Sequence, residues 1–304
     1  MLSANIKQLY DTQWLGEMDF DKQFHYATRM WLRTGEEYYK QHLQGLQGWF
    51  LDKSCNKPTQ EHTVLWKKMF MGKERSLMLE KYRPILYYAE LLFYYRYAWY
   101  IYGLDKEDLV KSKVTHEELI NTAEQLFTDE LAVATLSTHA INFFYALNFY
   151  LTKTGHPWIW NLIERVAALR KVYTTLPATY QWLEIYYLTH AIIGATDFYA
   201  KKISPQDELY YTEFLHRAEE IISMNYVSLK LDIKLEFLVC CRIVGYASFL
   251  KLPIESECAV SKSKDGFLID LYNTKRWKTP ITIAWSEHRN VLYLLSQIHS
   301  FRYT

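Results

Sequence analysis

Glycine and proline are scarce in this chain, ten and seven in 304 residues, and cysteine is scarcer still at four. Few helix breakers mean long uninterrupted segments, which excludes a fold of many short strands joined by tight turns. The thiols Cys55, Cys240, Cys241 and Cys258 show no C-x-x-C spacing, so neither a disulfide framework nor a zinc ribbon is indicated, and they read as reduced, structural groups. Charge of one sign is also lacking. Lys and Arg number 35 against 34 Asp and Glu, a formal net charge of +1 without a run of five like charges, which excludes nucleic acid as the main partner. There is no G-x-x-x-x-G-K-[ST] loop, no G-x-G-x-x-G after a strand and no G-x-S-x-G elbow, so P-loop, dinucleotide-binding and serine-hydrolase chemistry have no support. The opening MLSANIKQLYDTQW lacks a basic segment followed by an apolar one, and a cytoplasmic protein without secretory signal or transit peptide is expected. The apolar stretches 84–103 and 135–152 carry Glu90 and Arg96, and His139 with two asparagines. Each is costly in hydrocarbon, so both read as buried helices rather than membrane spans.

Aromatic residues, by contrast, are abundant: 26 Tyr, 15 Phe and 10 Trp make 17% of the chain. So much tyrosine requires buried rings whose hydroxyls find partners, in helix packing or in the wall of a cavity. The segments between breaks have period-3.6 apolar patterns and no convincing period-2 alternation, which predicts an all-α fold. About twelve helices are expected, over 4–18, 21–44, 59–80, 84–102, 115–127, 129–153, 157–173, 177–201, 205–224, 228–250, 266–275 and 280–301. Ser204-Pro205 and Thr279-Pro280 place a cap residue before a proline, and Thr115-x-x-Glu118 is a capping box. Two pairs of segments resemble each other: the helices around Glu90 and Glu236, each with an arginine six residues on, and the Thr-His helices of His139 and His190. Irregular spacing favours duplicated hairpins in a closed (α/α) toroid over a uniform open solenoid. A single domain, 1–304, is expected, with surface loops at 51–60 and at 252–266, the second a lid candidate.

The stretch YLTHAIIGATDFY, residues 187–199, places His190 and Asp197 seven residues apart. At about 100° per residue that leaves them roughly 20° apart on one helical stripe, two turns distant. Gly194 between them makes room for a ligand or a neighbouring helix. His139, in LSTHAINFFYALNFY, is the counterpart of His190, with Asn142 and Asn148 as further polar groups on an apolar helix. Glu236 and Glu90 are carboxylates in helices that read as buried, so each must be neutral, paired or bound to metal. Arg96 and Arg242 lie off the face of their own glutamates, and partners from other helices are needed. Glu287 and His288 lie in AWSEHRNVLYLL near the end. His139, His190, Asp197 and Glu236 are therefore the catalytic candidates, and Asn142, Tyr145, Glu90 and Tyr187 the substrate-binding ones. His139, His190, Glu236 and His288 are the candidate ligands for a divalent metal, Zn, Fe or Mn, although none shows H-x-x-x-H spacing. The bland readings stand beside these: buried histidines bonded to backbone or tyrosine, and glutamates in structural ion pairs. His116 reads as a solvated helix start, and His25, His42, His62, His156, His216 and His299 as surface residues.

The Thr-His helices, Asp197-Phe198, the acidic helix around Glu236 and the polar histidine helix near the end together resemble an uncharacterised all-helical bacterial family of about this length. That family often has Tyr-His in its last helix where this chain has Glu287-His288. The resemblance spans mainly residues 130–295, and implies a helical fold, a site at these positions and a setting near natural-product biosynthesis. Two functions follow. One is a cytoplasmic biosynthetic enzyme that modifies a small molecule or peptide at an axial His/Asp/Glu site with an aromatic wall. The other is a helical-repeat module whose concave surface binds a peptide or protein without catalysis.

Overall fold

A computed structural model describes residues 2–55, 73–156, 161–176, 180–270 and 282–298. Among the described residues there are sixteen α-helices and no strand, only an isolated antiparallel bridge between Lys262 and Leu268. No helix among them is long and apolar enough to cross a membrane. The chain forms two compact units, Met1–Leu46 with Tyr199–Thr304, and Gln47–Phe198.

The discontinuous unit begins with α1 (Leu2–Leu9), α2 (Phe20–Thr34) and α3 (Glu37–Gly45), and four further helices complete it after the intervening unit. The intervening unit holds α4 (Gln47–Cys55), α5 (Lys73–Lys81), α6 (Pro84–Tyr102), α7 (Glu107–Lys111), α8 (His116–Thr128), α9 (Glu130–Leu136), α10 (Thr138–Lys153), α11 (Leu162–Leu169) and α12 (Gln181–Ala195). The chain then returns through α13 (Glu208–Asn225), α14 (Leu231–Val244), α15 (Lys251–Val260) and α16 (Ile283–Gln297). Each unit has a largely buried helix with several neighbours. In 47–198 it is α10, which packs against α6 and α12. In the other unit α16 packs against α14, α2 and α1. Burial of long apolar faces, rather than intrinsic propensity, holds such helices in place.

Local chemistry explains most boundaries. Thr115 and Glu118 form the expected capping box at the start of α8. Pro205 opens a short 3-10 turn, Pro205–Asp207, that leads into α13. Thr279-Pro280, the early part of 59–80 and the segment 271–281 lie outside the described residues.

Sixteen helices replace the expected twelve because breaks occur where the apolar period runs on. The segment 21–44 divides at Gly35, which takes φ 72° as the C-cap of α2. The segment 129–153 divides at Ser137, at φ 49°, a position without glycine whose hydroxyl donates to the Leu183 carbonyl at 2.7 Å. The expected loop and lid at 252–266 is largely helical: α15 covers 251–260. Pro253 falls in its first turn, where an amide N–H has no intrahelical partner to lose. Likewise α4 continues to Cys55, five residues into the loop expected at 51–60.

The excess of tyrosine is used as predicted. Buried Tyr173 and Tyr187 donate to the carbonyls of Ala134 and Val166, each at 2.8 Å. Asp11, in a π-helical turn Tyr10–Trp14, accepts from Tyr26, Tyr39 and Lys7 at 3.0 Å each, and so ties α1 to α2 and α3. Cys240, Cys241 and Cys258 are buried thiols.

Candidate functional site

The predicted residues divide between the two units. In 47–198, α10 and α12 bring His190 against Asn142, with Nδ1 donating to the amide oxygen at 2.8 Å. Gly194 lets the helices cross closely, because a Cβ there would lie 2.9 Å from the Cβ of Tyr145 and closer still to its ring. The room it makes is filled by a neighbouring helix. Tyr145 is thus a packing residue, and Tyr187, fully buried with its hydroxyl on the Val166 carbonyl, is closed to substrate. His139 and Glu90 are half-buried on α10 and α6.

Asp197 does not share a helical stripe with His190. The helix α12 ends at Ala195, and Asp197, Phe198 and Tyr199 take φ of 47°, 54° and 77°, three consecutive left-handed residues without glycine. Side chains outside the turn hold it. The fully buried Arg96 guanidinium donates to the carbonyls of Asp197 and Phe198. The rings of Tyr97, Tyr100 and Phe198 lie 4.9–5.3 Å from its carbon, and Tyr100 donates to Asp197 Oδ2 at 2.9 Å. Arg96 answers to backbone carbonyls and rings rather than to Glu90.

The denser cluster of ionisable groups is in the other unit, between α2 and α16. Lys22, His25 and Arg29 line one stripe of α2, at i, i+3 and i+7. Opposite them Glu287, fully buried, accepts at Oε1 from His25 Nδ1 at 2.7 Å. Its Oε2 has no hydrogen-bond partner among the described residues, and Lys22 Nζ stands 3.8 Å away. The His288 ring centroid is 5.6 Å from that of His25. Arg29 Nη1 also reaches His25 Nδ1, at 2.7 Å. One nitrogen cannot both donate to Glu287 and accept from Arg29, so the two contacts belong to different tautomers. Desolvation and the Arg29 charge hold the His25 pKa below its ordinary value against the opposing pull of Glu287. Arg29 lies over the ring of Tyr199, 6.0 Å from its centroid. Burial pushes the Tyr199 hydroxyl up, Arg29 draws it down and the buried Glu236 adds to the rise, so the phenol stays protonated.

The four expected metal ligands do not assemble. Among the described residues no three His, Cys, Asp or Glu side chains are gathered as a metal requires. His139 and His190 belong to one unit and Glu236 and His288 to the other. The Nδ1 of His190, moreover, is committed to Asn142.

Three histidines expected at the surface or solvated, His25, His42 and His116, are engaged. His25 belongs to the cluster just described, and its signal in the sequence was the Lys22, His25, Arg29 stripe along one face of α2. His116, expected to be solvated, bonds through Nε2 to the Tyr150 hydroxyl at 2.8 Å and packs its ring 4.4 Å from that of His156. His42 meets Gln23 Oε1 at 3.0 Å, His156 and His216 are exposed, and His62 and His299 lie outside the described residues. No family model, curated protein or solved structure matches this chain.

Proposed function

We propose that the protein is an acid–base enzyme that modifies a small molecule or peptide, with His25 as the group that moves the proton. The observation that carries this reading is a half-exposed imidazole whose Nδ1 meets a fully buried carboxylate and a guanidinium, both at 2.7 Å. With Nδ1–H on Glu287, Nε2 is a base; with Nδ1 accepting from Arg29, Nε2–H is an acid. A depressed pKa keeps the ring neutral near pH 7, as a base must be. Arg29 supplies a fixed positive charge for an anion that develops in the reaction, and Tyr199 a hydroxyl donor. Glu236 and His288 serve as positioning residues there. His190 with Asn142, near His139, is a second polar pair on the same reading of the Thr-His helices. A cytoplasmic setting in natural-product biosynthesis, and a closed ring of helical hairpins, remain part of the proposal on sequence grounds.

The test is untargeted. Purified protein is incubated with a small-molecule and peptide extract of its native cells, and consumption is followed by mass spectrometry. The expected result is a compound that wild type consumes and that His25→Asn consumes at least about 100-fold more slowly, the lower end of general acid–base contributions. Consumption that no His25 or Glu287→Gln substitution affects would remove the proposal.

The non-catalytic reading draws on α15, whose outward face bears Leu252 and Val260, both more than 70% exposed, and is preceded by exposed Phe249. On that reading the same extract yields a bound peptide or protein, lost in a Leu252→Asp/Val260→Asp variant, and no compound is consumed.

A further inference from the structure

Cations in the unit formed by residues 1–46 and 199–304 meet carboxylates at several places. Lys7 meets Asp11 at 3.0 Å, Lys234 meets Glu257 at 2.7 Å, Arg289 meets Asp232 at 2.8 Å, and Lys22 faces Glu287 at 3.8 Å. Arg29 differs. Among the described residues no carboxylate pairs with it, and its contacts are His25 Nδ1 at 2.7 Å and Tyr199, whose ring centroid is 6.0 Å away. The buried Glu236 acts on the Tyr199 hydroxyl, not on Arg29 as an ion pair.

A guanidinium carries its N–H donors in a planar fork that fits a carboxylate at two points. The Nη1 of Arg29 is the nitrogen turned to His25. The residue is half-buried, and none of its nitrogens is buried without a hydrogen-bond partner, so the rest of the fork is open to solvent or to Tyr199. His25 lies one turn earlier on the same helical face, with 32% of its side chain exposed. An oxyanion that enters the fork from solvent therefore arrives beside the imidazole. Lys22, the other cation of the stripe, faces Glu287, so the second charge of a phosphate has no counterpart there, and a single guanidinium suits a carboxylate. The two contacts of His25 Nδ1 exclude each other, and whatever engages Arg29 decides between them. A ligand oxygen that draws the Nη1 donor away leaves Nδ1–H to Glu287 and Nε2 without a proton. It also offsets part of the positive charge that helps to hold the His25 pKa down.

We propose that Arg29 binds a carboxylate of the substrate and, by leaving His25 Nδ1 to Glu287, sets the ring in its base form. The substrate class is thus a carboxylic acid, free or on a peptide. The inference rests on the acid–base reading of His25, and its test is read without turnover. The ring 15N signals of His25 are followed in the full chain while acetate, acetamide or inorganic phosphate is added at constant ionic strength. Acetate should move them saturably, with Nε2 shifting toward a nitrogen that has no proton, and acetamide and phosphate should bind at least about tenfold more weakly. Arg29→Lys, which keeps the charge and removes the fork, should weaken acetate by about tenfold, and Arg29→Gln should abolish the saturable shift. The comparison of acetate with acetamide on the wild-type chain needs no variant to fold. The proposal is overturned if acetate gives no saturable shift, if acetamide or phosphate binds as tightly, if Nε2 shifts toward N–H, or if Arg29→Gln retains wild-type affinity. Consumption lost in His25→Asn by a protein that does not bind acetate would keep the base and remove the carboxylate site. Acetate bound at Arg29 by a protein that consumes nothing would keep the carboxylate site and remove the base.

Discussion

At Gly194 two effects of opposite sign compete. Alanine in place of a mid-helix glycine stabilises by about 0.5–1 kcal/mol through backbone entropy. Here the new methyl group would meet the Cβ and ring of Tyr145, at 2.9 Å and less, and the stem of that side chain cannot swing away. Overpacking of this kind costs about 1–3 kcal/mol, so the clash outweighs the gain. Gly194→Ala should lower the urea midpoint, and Gly194→Ala with Tyr145→Ala should lose the mutual penalty, a coupling that a double-mutant cycle reads directly. Arg96 poses the converse case, a side chain that holds strained backbone. Residues in left-handed conformations without glycine cost about 1–3 kcal/mol each, and the carbonyls of Asp197 and Phe198 offset part of this by accepting from Arg96. Arg96→Met keeps much of the volume and removes both donors. It should cost about 1–3 kcal/mol per buried carbonyl left unsatisfied, and speed amide exchange at 196–200 more than elsewhere in the chain. Uniform exchange across the chain would show that the arginine does not hold the turn.

Among the elements, α8 offers the cleanest case, because its start was legible in four letters. Thr115 accepts from the Glu118 amide at 3.1 Å, and Glu118 accepts from the Thr115 amide at 2.8 Å. Thr115→Ala should destabilise by about 1 kcal/mol, visible as a shifted denaturant midpoint with an unchanged slope. Features of this sort, in which the residue and the geometry it forces are neighbours in sequence, were readable: the helical class, Pro84 opening α6, the buried cysteines, the tyrosines in search of acceptors. What escaped the sequence was set by contacts far along the chain. Ser137 breaks a helix with no glycine or proline, because its hydroxyl reaches Leu183, 46 positions on. Asp197 looked like part of a stripe because the apolar period continues past the place where Arg96, 101 positions earlier, captures the turn. His25 looked peripheral among charges, and its carboxylate partner Glu287 is 262 positions away. Periodicity reports which face of a helix is apolar, not which distant polar group meets the exception. Glu236, singled out for the cost of its burial, acts on the Tyr199 hydroxyl, and the His288 ring lies beside that of His25, whereas His139 and His190 belong to the other unit.

Across the whole molecule, the common feature is imidazole held neutral. His25, His42 and His116 all have pKa values lowered from 6.5, each chiefly by burial, with Arg29 acting further on His25 and His156 on His116. They occur in both units. A base whose folded pKa is depressed takes up its proton more readily when the chain is unfolded, so the unfolded state binds more protons below about pH 6.5, and stability rises with pH through that range. The stabilisation is complete above the unfolded value and is lost as pH falls through it toward the folded one. Asp129 and Glu118, lowered by Lys81, by backbone amides and by Thr115, act in the same direction at lower pH, whereas buried Asp232, raised by desolvation and Asp270, opposes them from its ordinary value of 3.8 up to its raised one. The urea midpoint should therefore fall between about pH 7 and pH 5, where the imidazoles of the unfolded chain take up most of their protons. His25→Asn, His42→Asn and His116→Asn should each remove part of that fall, because an asparagine has no proton to gain. A midpoint that stays level over this range, or a fall that all three substitutions leave intact, would mean that the imidazoles titrate as they do in water and that the pairing of His25 with Glu287 and Arg29 does not hold its ring neutral.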